Sequence, residues 1–116
     1  MQLEIRDSSL QMGSAFREQL SDHIEGACRR FAGRIRRIVV SLVDTNGPRG
    51  GLDKLCQMAV QLTRGEVIRS CSKNTNLTAA VYLATDRVTR ALSRRLERQR
   101  NRSGRRRQRL FSAETD

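Results

Sequence analysis

Apolar side chains in this chain keep two rhythms, and the order in which those rhythms follow one another leaves few folds open. Residues 2 to 6, Gln-Leu-Glu-Ile-Arg, alternate apolar and polar as a half-buried strand does. From 14 to 31 the spacing becomes three and four: Phe16, Leu20, Ile24, Ala27 and Phe31 share one helical stripe, with Gly13 or Ser14 as N-cap and Gly33 past the end. Alternation returns over 35 to 43, a β-branched run that turns Ile38, Val40 and Leu42 inward and Arg37, Val39 and Ser41 outward. It resumes from 55 to 63 with Cys56, Met58, Val60 and Leu62 inward. Between these two strands, Asn46-Gly-Pro-Arg-Gly-Gly51 gathers most of the turn-forming residues, so a mobile connection between antiparallel strands is expected there.

The turn centred near Gly65 decides which face of a fourth strand is buried, because a one-residue slip flips every side chain. A two-residue loop would bury Arg69. A three-residue loop turns Ile68 and Ser70 inward and leaves Arg69 in solvent; it avoids an unpaired buried charge and is the expected geometry. A second helix then begins at Asn76, an N-cap residue, with Leu77, Val81, Ala84, Val88 and Leu92 as its apolar stripe. It is expected to end near Arg98. The order β-α-β-β-β-α predicts an α+β two-layer sandwich, a four-stranded sheet with two helices packed on one face. At 116 residues there is room for one such domain, placed at residues 1–98, and the sequence has no apolar run of about 18 residues that would span a membrane.

Charge is placed as unevenly as the apolar residues are placed regularly. Residues 1 to 86 hold twelve basic and nine acidic side chains, whereas 87 to 109 hold eleven arginines and one acid, Glu97. All but Lys54 and Lys73 of the 23 basic residues are arginine, whose guanidinium grips phosphate with two hydrogen bonds. Beside the apolar stripe of the second helix, Arg87, Arg90, Arg94 and Arg98 fall at helical spacing, with Arg95 adjoining them. Such a row binds a polyanion; the bland reading, a solvated face, normally mixes signs. Arg29, Arg30, Arg34, Arg36 and Arg37, near the end of the first helix, form a candidate second surface, or simply a solvated helix end complementing the dipole. Residues 99–116 are basic and poor in apolar groups, and are expected to form a disordered arm that binds RNA without specificity.

Other chemistry finds little support. Cys28, Cys56 and Cys71 are odd in number without CxxC spacing, and the N-terminus lacks a secretory signal's apolar stretch, so a reducing cytoplasm is expected. With His23 they do not make a zinc site, and structural cysteines are the simpler reading. His23 lies beside the apolar stripe as a packing or boundary residue. No Ser-His-Asp order or paired-acid site is legible, so no catalytic residue, metal or cofactor is assigned. The glycines at 47 to 51 lack the Gly-Lys-Ser ending of a phosphate loop and do not open a helix. With Tyr82 the only tyrosine and aromatics at 3%, little base stacking is available, which favours recognition of RNA by duplex or shape.

The stretch Asn76-Leu77-Thr78-Ala79-Ala80-Val81-Tyr82-Leu83-Ala84-Thr85-Asp86-Arg87-Val88-Thr89-Arg90-Ala91-Leu92 resembles a second-helix pattern of the form Asp-Met-Tyr-Ala-Ala-Ile-Asp-x-x-x-Asp-Lys-Leu-Glu-Arg-Gln-Leu. The Ala-Ala pair, Asp86, the basic residue at 87, Arg90 and the apolar ladder match. Ala15 and Arg17 are similar to the start of the same family's first helix. That family is the ribosome hibernation promoting factors, also called ribosome-associated inhibitors or ribosomal subunit interface proteins, and the similarity covers roughly residues 1 to 98. Thr78 and Tyr82 stand where the family has tyrosine and aspartate, and Ser72-Lys73-Asn74 replaces its acidic approach to the helix.

The resemblance implies a non-enzymatic translation inhibitor that occupies the mRNA/tRNA channel of the small ribosomal subunit in idle ribosomes, and a monomer is expected. Its partner would be small-subunit rRNA, with no membrane and no small-molecule substrate. Arg87 and Arg90 are carried over from the family motif, and Lys73 joins the candidate contacts. Two other readings are a regulator that docks a transcription factor subunit, and an RNA chaperone or ribosome assembly factor driven by the arginine arm.

Overall fold

Each alternating stretch becomes a strand and each three-and-four stripe a helix. In the computed structural model, residues 1–7, 12–44 and 53–114 are described, with side chains to residue 100. The elements are β1 (Gln2–Asp7), α1 (Ser14–Cys28), a 3-10 segment (Arg29–Arg34), β2 (Ile35–Asp44), β3 (Lys54–Leu62), β4 (Val67–Asn74) and α2 (Leu77–Glu114). The sheet order is β1-β2-β3-β4, with β1 parallel to β2 and the remaining neighbours antiparallel. A parallel neighbour needs a crossover, which α1 supplies. The α+β sandwich expected from the pattern is the fold of the protein. The turn-rich segment at 46–51 lies outside the described residues.

One layer of apolar side chains joins the sheet to both helices. Val40, Leu42, Cys56, Met58 and Val60 meet Leu20 and Ile24 of α1 and Val81, Ala84, Val88 and Leu92 of α2, all essentially fully buried. Leu3 and Ile5 of β1 pack at the edge of this core. The β3–β4 turn has the expected three-residue length: Leu62 N–H donates to Glu66 O at 2.7 Å, and Gly65 takes φ 94°, a left-handed conformation that costs glycine little. Ile68 is therefore buried and Arg69 exposed. The inward serines find partners on α2: Ser70 donates to Ala84 O at 2.9 Å, and buried Ser72 donates to Ala80 O. Small alanines let the helix backbone come this close to β4, so the serines fix both the height and the rotation of α2.

Both helix ends differ from expectation. The α-helical part of α1 stops at Cys28 rather than Phe31, and the chain tightens into the 3-10 segment, within which Gly33 lies. Cys28 and Phe31, three apart, stay buried because a three-residue turn keeps them in line. α2 does not end near Arg98 but continues as helix to Glu114, through residues expected to be disordered. Arginine, glutamine and leucine are good helix formers, and Gly104 is the one strong helix-disfavouring residue between 99 and 114. Few apolar groups removed a reason to pack, not a reason to stay helical.

Candidate nucleic-acid interface

α2 starts where the sequence places it. Asn76 Oδ1 accepts from Ala79 N–H at 3.2 Å, and Asn74 Oδ1 accepts from Asn76 N–H at 3.0 Å, so two short polar residues satisfy the first turn. With one face of α2 held by the sheet, the arginines at 87, 90, 94, 95 and 98 all emerge exposed. Over 77–100 the helix carries six arginines against Asp86 and Glu97.

The five guanidinium groups are not equivalent. Arg87 Nη1 donates to Cys71 O at 2.6 Å, reaching from α2 to the outer edge of β4. This carbonyl faces away from β3, so Arg87 occupies one of the outward acceptors that an added strand would need. Arg90 pairs with Asp86 at 3.2 Å one turn earlier, with both groups at least half exposed, a weak pair that solvent and phosphate readily compete for. Arg95 Nε sits 3.0 Å from Glu66, which also accepts from Gln99 Nε2 at 3.3 Å. Arg94 and Arg98 have no ion pair among the described residues. Together with Arg95 they surround a notch of about 340 Å³ floored by Val67, Ile68 and Ala91. Cations around an apolar floor, with one carboxylate nearby, suit a phosphate group and the ribose beside it.

The cluster expected near the end of α1 is divided by the fold. Arg29 and Arg30 are exposed on the 3-10 segment, Arg30 lying 4.5 Å above the Phe31 ring. Arg34 lines a small crevice with Leu96 and Gln99 of α2, which brings it toward the α2 row, and Arg64 of the β3–β4 turn joins it there. Arg36 is exposed at the irregularity between Ile35 and Arg37 in the β2 register. Arg37 turns to the opposite, helix-free face of the sheet and pairs with Glu4. Lys73 is exposed on that face too. Sequence reasoning passed over Arg64, and also Arg6 and Arg69, which share the helix-free face; single charges on short strands carry no periodic signal, although the inward parity of their neighbours fixes where they point.

The remaining reactive groups are spoken for by packing. Burial pushes the Cys56 thiol up to about 12 and raises that of Cys28, which leaves both protonated and inert. His23 stacks on Tyr82, with ring centroids 3.6 Å apart and planes 10° from parallel, and burial lowers its pKa. Among the described residues no group of three or more His, Cys, Asp or Glu is placed to hold a metal ion, and no helix is long and apolar enough to cross a membrane.

Residues 3–100 match the model of a family described as sigma 54 modulation protein / S30EA ribosomal protein. The fold is similar to that of a ribosomal subunit interface protein from Coxiella burnetii, with a TM-score of 0.67 and 18% identity over 84% of this chain and 99% of that one. It is similar too to the N-terminal domain of Protein Y from Thermus thermophilus, with a TM-score of 0.66 and 21% identity over 81% of this chain and 98% of that one. No curated protein matches the chain.

Proposed function

This chain belongs to the sigma 54 modulation protein / S30EA ribosomal protein family, and from that premise we propose that it binds the small ribosomal subunit in the cytoplasm and silences idle ribosomes by occupying the mRNA/tRNA channel. The observation that carries the reading is the α2 face: five exposed arginines at helical spacing on an element whose other face is locked to a sheet. A rigid cationic face of this kind holds structured RNA through phosphates and 2′-hydroxyls without base stacking. Occlusion needs affinity and a fixed shape, and the serine ties between β4 and α2 supply the second. No step of this mechanism makes or breaks a bond.

The α2 contacts divide in role. Arg94 and Arg98 are free to take phosphate directly, Arg90 gives up a weak intrahelical pair to do so, and Arg95 is held in orientation by Glu66. Arg87, anchored on Cys71 O, offers its remaining N–H donors. Competition tests the reading: purified small subunits preloaded with message and initiator tRNA should exclude the protein in a sucrose gradient, whereas empty subunits carry it. Equal cosedimentation with loaded and empty subunits would remove channel occupancy while leaving ribosome binding. Failure to sediment with either would remove both.

A further inference from the structure

The helix-free face of the sheet lies apart from the α2 row, and its composition is unusual. The strand registers place its side chains in transverse rows: Glu4, Val39, Ala59 and Arg69 form one, and Arg6, Ser41, Gln57 and Cys71 the next. In these two rows the central strands contribute the neutral residues Val39, Ser41, Gln57 and Ala59, while the outer strands contribute the Glu4–Arg6 pair on one side and Arg69 on the other, with Lys73 one row further along β4 and Arg37 of β2 beyond Glu4. Arg6, Arg69 and the neutral residues between them line a depression of about 470 Å³. Its rims, three strand spacings apart, are separated by about 14 Å.

Glu4 is the one acid that β1 to β4 direct to this face, and it is held below its usual pKa by the Arg6 hydrogen bond first and the Arg37 hydrogen bond second. It is therefore already matched by two guanidinium groups. The side chains of Arg69 and Lys73 have no ion pair or hydrogen bond among the described residues.

We propose that this trough binds the sugar-phosphate backbone of a folded RNA segment. This deepens the ribosome-binding reading and rests on it for the source of the RNA. Three features select the occupant. The charge calls for a polyanion, and the absence of any aromatic side chain on this face of the described strands rules out base stacking as the grip, leaving phosphates on the rims and 2′-hydroxyls against Ser41 and Gln57. The trough is also continuous with the α2 row, because Arg87 reaches across the β4 edge to Cys71 O. A strand lying on α2 can therefore pass over β4 without leaving a cationic surface. An acidic peptide would most simply add to the β4 edge as a strand, where Arg87 already holds the Cys71 carbonyl.

Cys71 is the exposed member of the three cysteines and lies in the trough, so its alkylation reports occupancy directly. With the full chain bound to small subunits, iodoacetamide labelling of the Cys71 peptide should slow about tenfold as the thiol loses access to solvent. The variant Arg69→Gln/Lys73→Gln should still bind, with the slope of log affinity against log salt shallower by roughly 1.8, because two phosphates of the folded RNA are no longer neutralised. Undiminished labelling in bound protein, or an unchanged slope, overturns the trough and leaves the ribosome reading standing. If subunits do not bind at all, that reading fails, and a base-paired RNA hairpin decides the trough alone: protection of Cys71 sustains it, while no protection, or protection by polyglutamate instead, overturns it.

Discussion

The two helices of this protein bury the same kind of stripe and present opposite kinds of surface. α1 places Leu20, Ile24 and Cys28 against the sheet, as α2 places Val81, Ala84, Val88 and Leu92. Yet the exposed charges of α1 are Glu18, Asp22 and Glu25, and its one arginine, Arg17, is committed to β1, donating to Ile5 O at 2.5 Å and lying 3.4 Å from Asp7. Between residues 87 and 100 the exposed charges of α2 are arginine apart from Glu97. Burial therefore explains why both helices exist and says nothing about which one meets RNA. The outer face alone makes that distinction, and in the proposed reading it turns α2 toward a polyanion and α1 away.

If the buried stripes are equivalent, Leu20→Ala and Leu92→Ala should be equally damaging despite the opposite surfaces, each costing about 2–5 kcal/mol in denaturant unfolding. A marked inequality would show that one helix alone carries the core. The helix starts differ more subtly. Asn76 caps α2 with its side chain, whereas Gly13 of α1 makes no side-chain cap bond and has open space for a Cβ. Asn76→Ala should lose about 1 kcal/mol, and Gly13→Ser should gain a few tenths, both read as shifts of the denaturant midpoint.

The smallest effect lies where the helices touch, at His23 on Tyr82. The folded-state pKa of His23 is lowered by burial, so the unfolded chain takes up the proton first as pH falls below about 6.5. Stability contributed by the neutral ring is present above that pH and is lost on acidification. The melting temperature should drop between pH 7.5 and 5.5, and His23→Phe should flatten the drop; an identical profile in the variant would assign it elsewhere.

Much of this architecture was readable because alternation and helical spacing are local. The parity of β2, β3 and β4 followed from their apolar residues, and the three-residue loop at Gly65 followed from refusing to bury Arg69. Asn76 was identifiable as a cap by residue type. The end of α2 was not readable, since the stripe stops at Leu96 while helix propensity persists. Charged side chains were the least readable, because their destinations depend on partners distant in sequence. Arg36 and Arg37 are neighbours, yet Arg37 joins Glu4 on the open sheet face. Arg95 and Glu66, 29 positions apart, meet at 3.0 Å. Arg87 finds a carbonyl on β4 that no pattern of side chains could reveal.

Contact between the α2 arginines and phosphate is what salt dependence measures most directly. Affinity for purified small subunits should be determined across a range of salt for the wild type, for Arg90→Gln/Arg94→Gln/Arg98→Gln, and for Glu18→Gln/Asp22→Gln/Glu25→Gln on α1. The α2 variant should melt as the wild type does but show a slope shallower by about 2–3 units, while the α1 variant should lose no affinity. A wild-type slope in the α2 variant, or a weakened α1 variant, would contradict the assignment of the RNA-facing side.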